Sequence, residues 1–359
     1  MSPAFRNEID ITVWRAGRTI ADVAILPRSR PPLTRLFAGK PVASLLSVLP
    51  RLFSPCSAAH QAAFLSAVEA AHGKVSSAET LQRRVTAVSA ERLTELLRGL
   101  FVGWRTLDGP SAAVARAAML ATTVLSGGEG PSRGGALSQI RTSLNALGIT
   151  GEELAPAPGS ALATHLASLN GNALSLSVVE QSFLSAADDL DVVMRMVADG
   201  PAFSDAPDLQ GRIPETGVWA RRIGRESIIP RDAGTAERLN ARITEIARLC
   251  AWLEGRTQVL ENGIIGSYRL GAGKGAAAVE CARGRLYHVI ALDDDDCIVR
   301  FEFLAPTEWN FHARGPLVRR LRGSLPADGR QGQDAVQNLV SSFDPCVGFT
   351  LSFREVGHA

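Results

Sequence analysis

Apolar and polar residues change period twice along this chain, and the changes divide it into three regions. Ile9, Ile11 and Val13 alternate with polar residues, Ala16-Gly17 permits a turn, and Thr19 to Ile25 is again strand-like. This predicts a β-hairpin over 8–26, ended by the breaker Pro31-Pro32. From about 41 to 256 the period becomes helical. Leu93, Leu96, Leu97, Leu100, Phe101 and Trp104 share one helix face, as do Leu239, Ile243, Ile246, Cys250 and Leu253. Ser177 and Glu180 have capping-box spacing, predicting a helix from there to about Ala198. The glycine-rich stretch 126–135 and Ala155-Pro156-Ala157-Pro158-Gly159 read as loops. After Gly255 short strands are predicted at 276–281, 286–290 and 297–304, and a last helix at about 333–342. There is no internal repeat. The expected fold is α+β and mainly helical, one domain over 1–359 with a hairpin region (1–40), a helical core (41–256) and a small β region with a C-terminal motif (257–359).

Composition narrows the function classes. The 359 residues are 46% apolar, enough for a packed core. Thirty-eight basic and 36 acidic residues leave a net charge of +2, which argues against a nucleic-acid or anionic-membrane partner. Five cysteines, Cys56, Cys250, Cys281, Cys297 and Cys346, are an odd and sparse set that suits a reducing compartment. With no signal-peptide pattern and no apolar run near the roughly 20 residues a membrane helix needs, the expectation is a cytoplasmic protein. Gly271-Ala272-Gly273-Lys274-Gly275 fails as a phosphate loop, because Tyr268 and Gly275 stand where that motif requires glycine and a hydroxyl residue. The acid run Asp293-Asp294-Asp295-Asp296 reads as a cation attractor or, by preference, a solvated hairpin turn.

The candidate chemistry lies at the two ends. Arg51, Cys56 and His60 stand in the string Arg51-Leu52-Phe53-Ser54-Pro55-Cys56-Ser57-Ala58-Ala59-His60, and the C-terminal region carries Phe343-Asp344-Pro345-Cys346-Val347-Gly348-Phe349. Between them lie Glu280-Cys281-Ala282-Arg283-Gly284-Arg285-Leu286-Tyr287-His288 and Ala305-Pro306-Thr307-Glu308-Trp309-Asn310. In this order the four segments resemble the large subunit of nickel–iron hydrogenases, with R-x-C-x-x-C-x-x-x-H, E-A-P-R-G-x-L-x-H, A-P-T-x-W-N and D-P-C-x-x-C-x-x-H. The resemblance covers both ends and 276–346, whereas 75–255 match only as a helical region. It implies a large-subunit-like fold. It also implies that Cys56 and Cys346 are metal ligands meeting in one pocket, that Arg283 bonds a cyanide, that Pro306 and Thr307 line the other cyanide, and that Leu286 packs near the carbon monoxide. His60 reads as a hydrogen-bonding support of the Cys56 thiolate or as a core histidine, and Cys281, inside the arginine string, as a residue that can approach the pocket.

The departures are as informative. Phe53 and Phe349 replace one cysteine of each pair, so no nickel is expected. Ala16 stands where the family has its proton-relaying glutamate, and Ser352 replaces the C-terminal histidine. This pattern resembles the HupK/HoxV family of hydrogenase maturation proteins. The resemblance implies a non-enzymatic scaffold that transiently holds an Fe(CN)2(CO) unit, with a Hyp-type iron-delivering protein and the apo hydrogenase large subunit as partners. The alternative is a metal-free structural or regulatory paralogue.

Overall fold

A computed structural model describes residue 6 and residues 8–104, 107–127, 131–150, 156–169, 174–226, 233–257 and 263–356. The predicted hairpin forms as β1 (Ile9–Ala16) and β2 (Thr19–Leu26), with Gly17 at φ +60° supplying the left-handed turn. Ile9, Ile11 and Val13 point to one buried face, as strand alternation requires. Phe349–Glu355, for which the sequence pattern predicts no element, lies parallel to β1 from Ile9↔Phe349 to Arg15↔Glu355. The buried face of this three-stranded sheet packs on Val336, Leu339 and Val340 of the Gly329–Ser342 helix. The two ends of the chain are therefore joined by a backbone ladder.

Two-residue strands β3 (Leu174–Ser175) and β8 (Leu325–Pro326) pair with each other. A larger antiparallel meander runs β4 (Ile265–Gly271), β5 (Lys274–Cys281), β6 (Gly284–Leu292) and β7 (Ile298–Leu304), with the C-terminal strand completing the series as β9. β5, β6 and β7 match the three predicted strands. β4 was missed because Gly266, Ser267, Arg269 and Gly271 dilute its apolar signal, and it lies at the sheet edge. Gly271–Lys274, in the string that fails as a phosphate loop, is the tight turn joining β4 to β5. The acid run is a turn between β6 and β7. Asp293 Oδ1 accepts bonds from the amides of Asp295 and Cys297, and Asp296 pairs with His72 at 2.6 Å.

The helix Ser57–Ala71 lies on this sheet through Ala59, Ala63, Ala67 and Ala71, a fully buried stripe of small residues four apart. The fit is tight at Gly275 of β5, where a Cβ would collide with the Ala67 oxygen and the Ala71 amide. Behind it, Ala78–Gly103 and Thr235–Leu253 bring the two leucine-rich faces together. Leu93, Leu96, Leu97 and Leu100 share one core with Leu239, Ile243, Ile246 and Cys250.

Two local expectations are corrected. No helix starts at Ser177, because its hydroxyl donates to the Arg322 carbonyl and is thereby committed to a neighbouring segment. The capping box is Ser185 with Asp188, and the helix is Asp189–Asp199. The glycine-rich stretch is mostly helix end: Gly109–Gly127 and Pro131–Leu147 close on it from both sides. Residues 128–130 and 155, within the two predicted loops, lie outside the described residues. Among the described residues no single helix is long and apolar enough to cross a membrane.

Candidate metal-binding site

Arg283 occupies the two-residue turn Ala282-Arg283 between β5 and β6, closed by the pair Cys281↔Gly284. Gly284 has φ +130° and approaches Thr216 so closely that a Cβ would overlap its side chain. Asn310 accepts from the Thr216 amide (3.0 Å) and donates to the Thr216 carbonyl (2.9 Å). The Thr216 hydroxyl in turn accepts from the Arg285 amide. The glycine of one string and the asparagine of another thus fix the turn that carries the arginine.

From this turn the Arg283 side chain reaches into the interior, where it is 8% exposed. Its Nη1 donates to Cys56 Sγ at 3.4 Å and its Nη2 to Glu95 Oε2 at 3.1 Å, while Nε is 3.8 Å from Asp344 Oδ2. One guanidinium joins the N-terminal motif, the Ala78–Gly103 helix and the C-terminal motif. Burial opposes its charge, but Asp344, Cys56, Cys346 and Glu95 together raise its pKa well above the usual value and keep it protonated. Its Nε is buried without a hydrogen-bond partner. Asp344 adopts φ +54°, a left-handed conformation that costs a non-glycine residue roughly 1–2 kcal/mol.

Cys346 is bound through Thr307. The threonine hydroxyl donates to Cys346 Sγ at 3.1 Å and accepts from the Cys346 amide at 3.5 Å. Pro306 opens the buried turn Pro306–Asn310 that presents Thr307. Leu286 of β6 packs beside Cys56 in a small apolar cluster with Ala59, Ala63, Val279 and Cys281. Arg283 therefore links Cys56 to Asp344 of the C-terminal motif, Thr307 holds Cys346, and Leu286 shares an apolar cluster with Cys56.

His60 behaves differently from its expected support of Cys56. Its ring stacks on Phe53 with centroids 3.6 Å apart, and its Nδ1 hydrogen-bonds His288 Nε2 at 2.9 Å. Burial pushes the pKa of both imidazoles down, so they stay neutral. It is the aromatic ring of Phe53 that captures the imidazole. Phe349 lies on β9 opposite Ile9 and packs against the hairpin core.

Three further residues belong to the site. Cys281, buried in the interior, shares a hydrogen bond with Cys56. That bond raises the Cys56 thiol well above its ordinary pKa and lowers that of Cys281. Glu95 is marked in the sequence as a carboxylate on the leucine-rich face between Leu93 and Leu96. Arg28 follows β2 and donates to Glu308 Oε1 at 3.3 Å, and no pattern in the sequence marked it.

Two thiols and the buried Arg283 guanidinium, whose Nε has no hydrogen-bond partner, form a donor set suited to a soft metal carrying anionic ligands. Phe53 and Phe349 provide no donor for a second metal. Cys250 is excluded from the site. It lies in the helical core, where burial pushes its thiol up to about 12.

No protein-family model matches the chain. Among curated proteins it is 65% identical to the hydrogenase expression/formation protein HupK of Bradyrhizobium diazoefficiens, over the full length of both. It is 33% identical to HupK of Rhizobium leguminosarum bv. viciae, over 98% of this chain and 97% of the relative. It is 28% identical to HoxV of Cupriavidus necator, over 91% and 92%. Among solved structures it is similar to a [NiFeSe] hydrogenase of Desulfovibrio vulgaris Hildenborough, with a TM-score of 0.60 at 15% identity over 91% of this chain and 93% of the other. An NAD+-reducing [NiFe]-hydrogenase gives a TM-score of 0.56 at 17% identity, over 91% and 92%. The fold is that of the hydrogenase large subunit, and the chain belongs to the HupK/HoxV family of hydrogenase expression/formation proteins.

Proposed function

We propose that this protein serves hydrogenase maturation as a non-enzymatic scaffold, receiving an Fe(CN)2(CO) unit as cargo and releasing it toward the apo large subunit. The observation that carries this reading is the convergence of Cys56, Asp344 and a buried, incompletely bonded Arg283. A guanidinium left with an unused donor in a dry pocket is suited to an anionic acceptor. Cys56 and Cys346 supply the sulfur donors and Thr307 holds the second of them. Leu286 keeps the wall beside Cys56 apolar, which excludes water from the metal's neutral ligand. Two anchors, rather than the four of an enzyme, favour release. The delivering partner would be a Hyp-type iron-carrying protein, and the setting cytoplasmic.

The second reading, a metal-free paralogue, draws on one observation. Among the described residues no group of three or more His, Cys, Asp or Glu is placed to hold a metal ion. A cargo that arrives with three diatomic ligands already on iron needs fewer protein donors than a bare ion. Infrared spectra and iron content of anaerobically purified protein separate the two. The scaffold reading expects cyanide and carbonyl stretching bands that vanish in Cys56→Ala and in Cys346→Ala while the melting transition stays. Iron-free wild-type protein lacking those bands would establish the metal-free reading.

A further inference from the structure

Arg28 is a buried cation that the roles derived so far leave without a task. It emerges from the hairpin immediately after Pro27, and its side chain is 15% exposed. Its hydrogen bond goes from Nη2 to Glu308 Oε1, and its Nε is buried without a partner. Glu308 does not fully satisfy it, since that carboxylate also lies 4.0 Å from Arg30 Nε. Glu308 is the immediate neighbour of Thr307, which holds Cys346. Arg28, Thr307 and Glu308 together line a cavity of about 90 Å³. Arg28 is also within electrostatic reach of both Cys346 and Cys56, and of His60, whose ring charge it opposes. Arg28 is thus bonded to the residue next to the threonine that holds Cys346, while Arg283 is bonded to Cys56, so each thiol has a guanidinium on its side.

Charge explains why two are useful. Ferrous iron with two cyanides and a carbonyl is neutral, and two thiolates bring it to a double negative charge. A double negative charge in a pocket removed from water needs compensation nearby. Arg283 is shared with Glu95 and Asp344, so it cannot offset this charge alone.

We propose that Arg28 is a second cargo-binding residue, gripping an anionic ligand of the iron unit from the Thr307 side and so selecting a dianionic iron–dithiolate over a neutral or cationic metal. This rests on the scaffold reading above and adds to it the residue that sets charge selectivity on the second ligand.

The test uses the full chain purified anaerobically from cells that make the iron–cyanide–carbonyl unit, with iron per chain, infrared bands and melting temperature measured together. Arg28→Gln should hold about tenfold less iron with its melting little changed, the effect of losing one charge-assisted hydrogen bond. Arg28→Lys should recover part of the iron but shift a cyanide stretching band, because an ammonium lacks the planar fork. Full iron and unshifted bands in Arg28→Gln would overturn the assignment of Arg28 while leaving the scaffold reading in place. If Arg28→Gln does not fold, Arg28→Lys decides: a shifted band supports the proposal and an unshifted one overturns it. A wild-type chain without iron overturns both.

Discussion

At the scale of single residues, the site depends on which donors are left over after the fold is satisfied. Arg283→Leu removes the donor to Cys56 and the charge facing Asp344. Iron per chain should fall about tenfold or more, since a charge-assisted hydrogen bond contributes roughly 1.5–3 kcal/mol. Arg283→Lys should restore only part of it, and colorimetric iron assays on matched preparations read both. Cys281 leads to a different measurement. The Cys56 thiol is raised chiefly by its hydrogen bond to Cys281, with burial second. In Cys281→Ala the first cause is gone, so the pH midpoint for Cys56 alkylation should move down, measured by mass spectrometry of the iron-free chain. An unchanged midpoint would mean that the two sulfurs do not share a proton. Arg283, Thr307 and Leu286 were readable from the strings that surround them. Arg28 was not, because a lone arginine after a strand carries no pattern, and its importance comes from neighbours about 280 positions away, such as Glu308.

Among elements, the helix Ser57–Ala71 is tied to Ala78–Gly103 by Glu91, whose carboxylate accepts from the amides of Ala58 (2.6 Å) and Ala59 (3.0 Å) at the helix start. Burial lifts Glu91 to about 7 despite those bonds. Its folded pKa is thus above its unfolded one, and the native state holds the extra proton in the window between about 4.5 and 7. Stability should therefore fall as pH rises through that window, by at most roughly 3 kcal/mol at about 1.4 kcal/mol per pH unit. Glu91→Gln should flatten the fall, as denaturant midpoints across the range would show. A slope unchanged in Glu91→Gln would assign it to another group. The long leucine-faced helices were legible because burial on one side imposes a period. The Ser177 box misled because a short hydroxyl side chain bonds whichever backbone group is nearest, and here that is the Arg322 carbonyl. β4 was hidden because an edge strand need not be apolar.

Across the whole molecule, the proposed site needs the two ends of the chain to be brought together. The order of the four strings suggested that they share a site, but not how. The answer is the parallel pairing of β1 with β9, a contact no local pattern encodes because its partners are separated by nearly the whole sequence. Deleting Phe349–Glu355 should free the edge of β1, lower the melting temperature and abolish iron retention even though Cys56, Cys346 and Arg283 remain. Calorimetry and iron content on that truncated chain test this, and iron retained at wild-type level would show that the pocket holds itself together without the ladder.

The β1–β9 pairing also fixes an order of events during synthesis. β1 leaves the ribosome early and finds β2 at once, but its other edge waits until β9 is made, about 340 residues later. At roughly 5–20 residues per second that interval is some tens of seconds. Cys346 emerges only a few residues before β9, so this thiol is absent for nearly the whole of that interval. Until then Cys56 and Arg283 belong to a nascent protein whose hairpin presents an open edge, and on the scaffold reading proposed above the second thiol joins them only when translation of this region is finished.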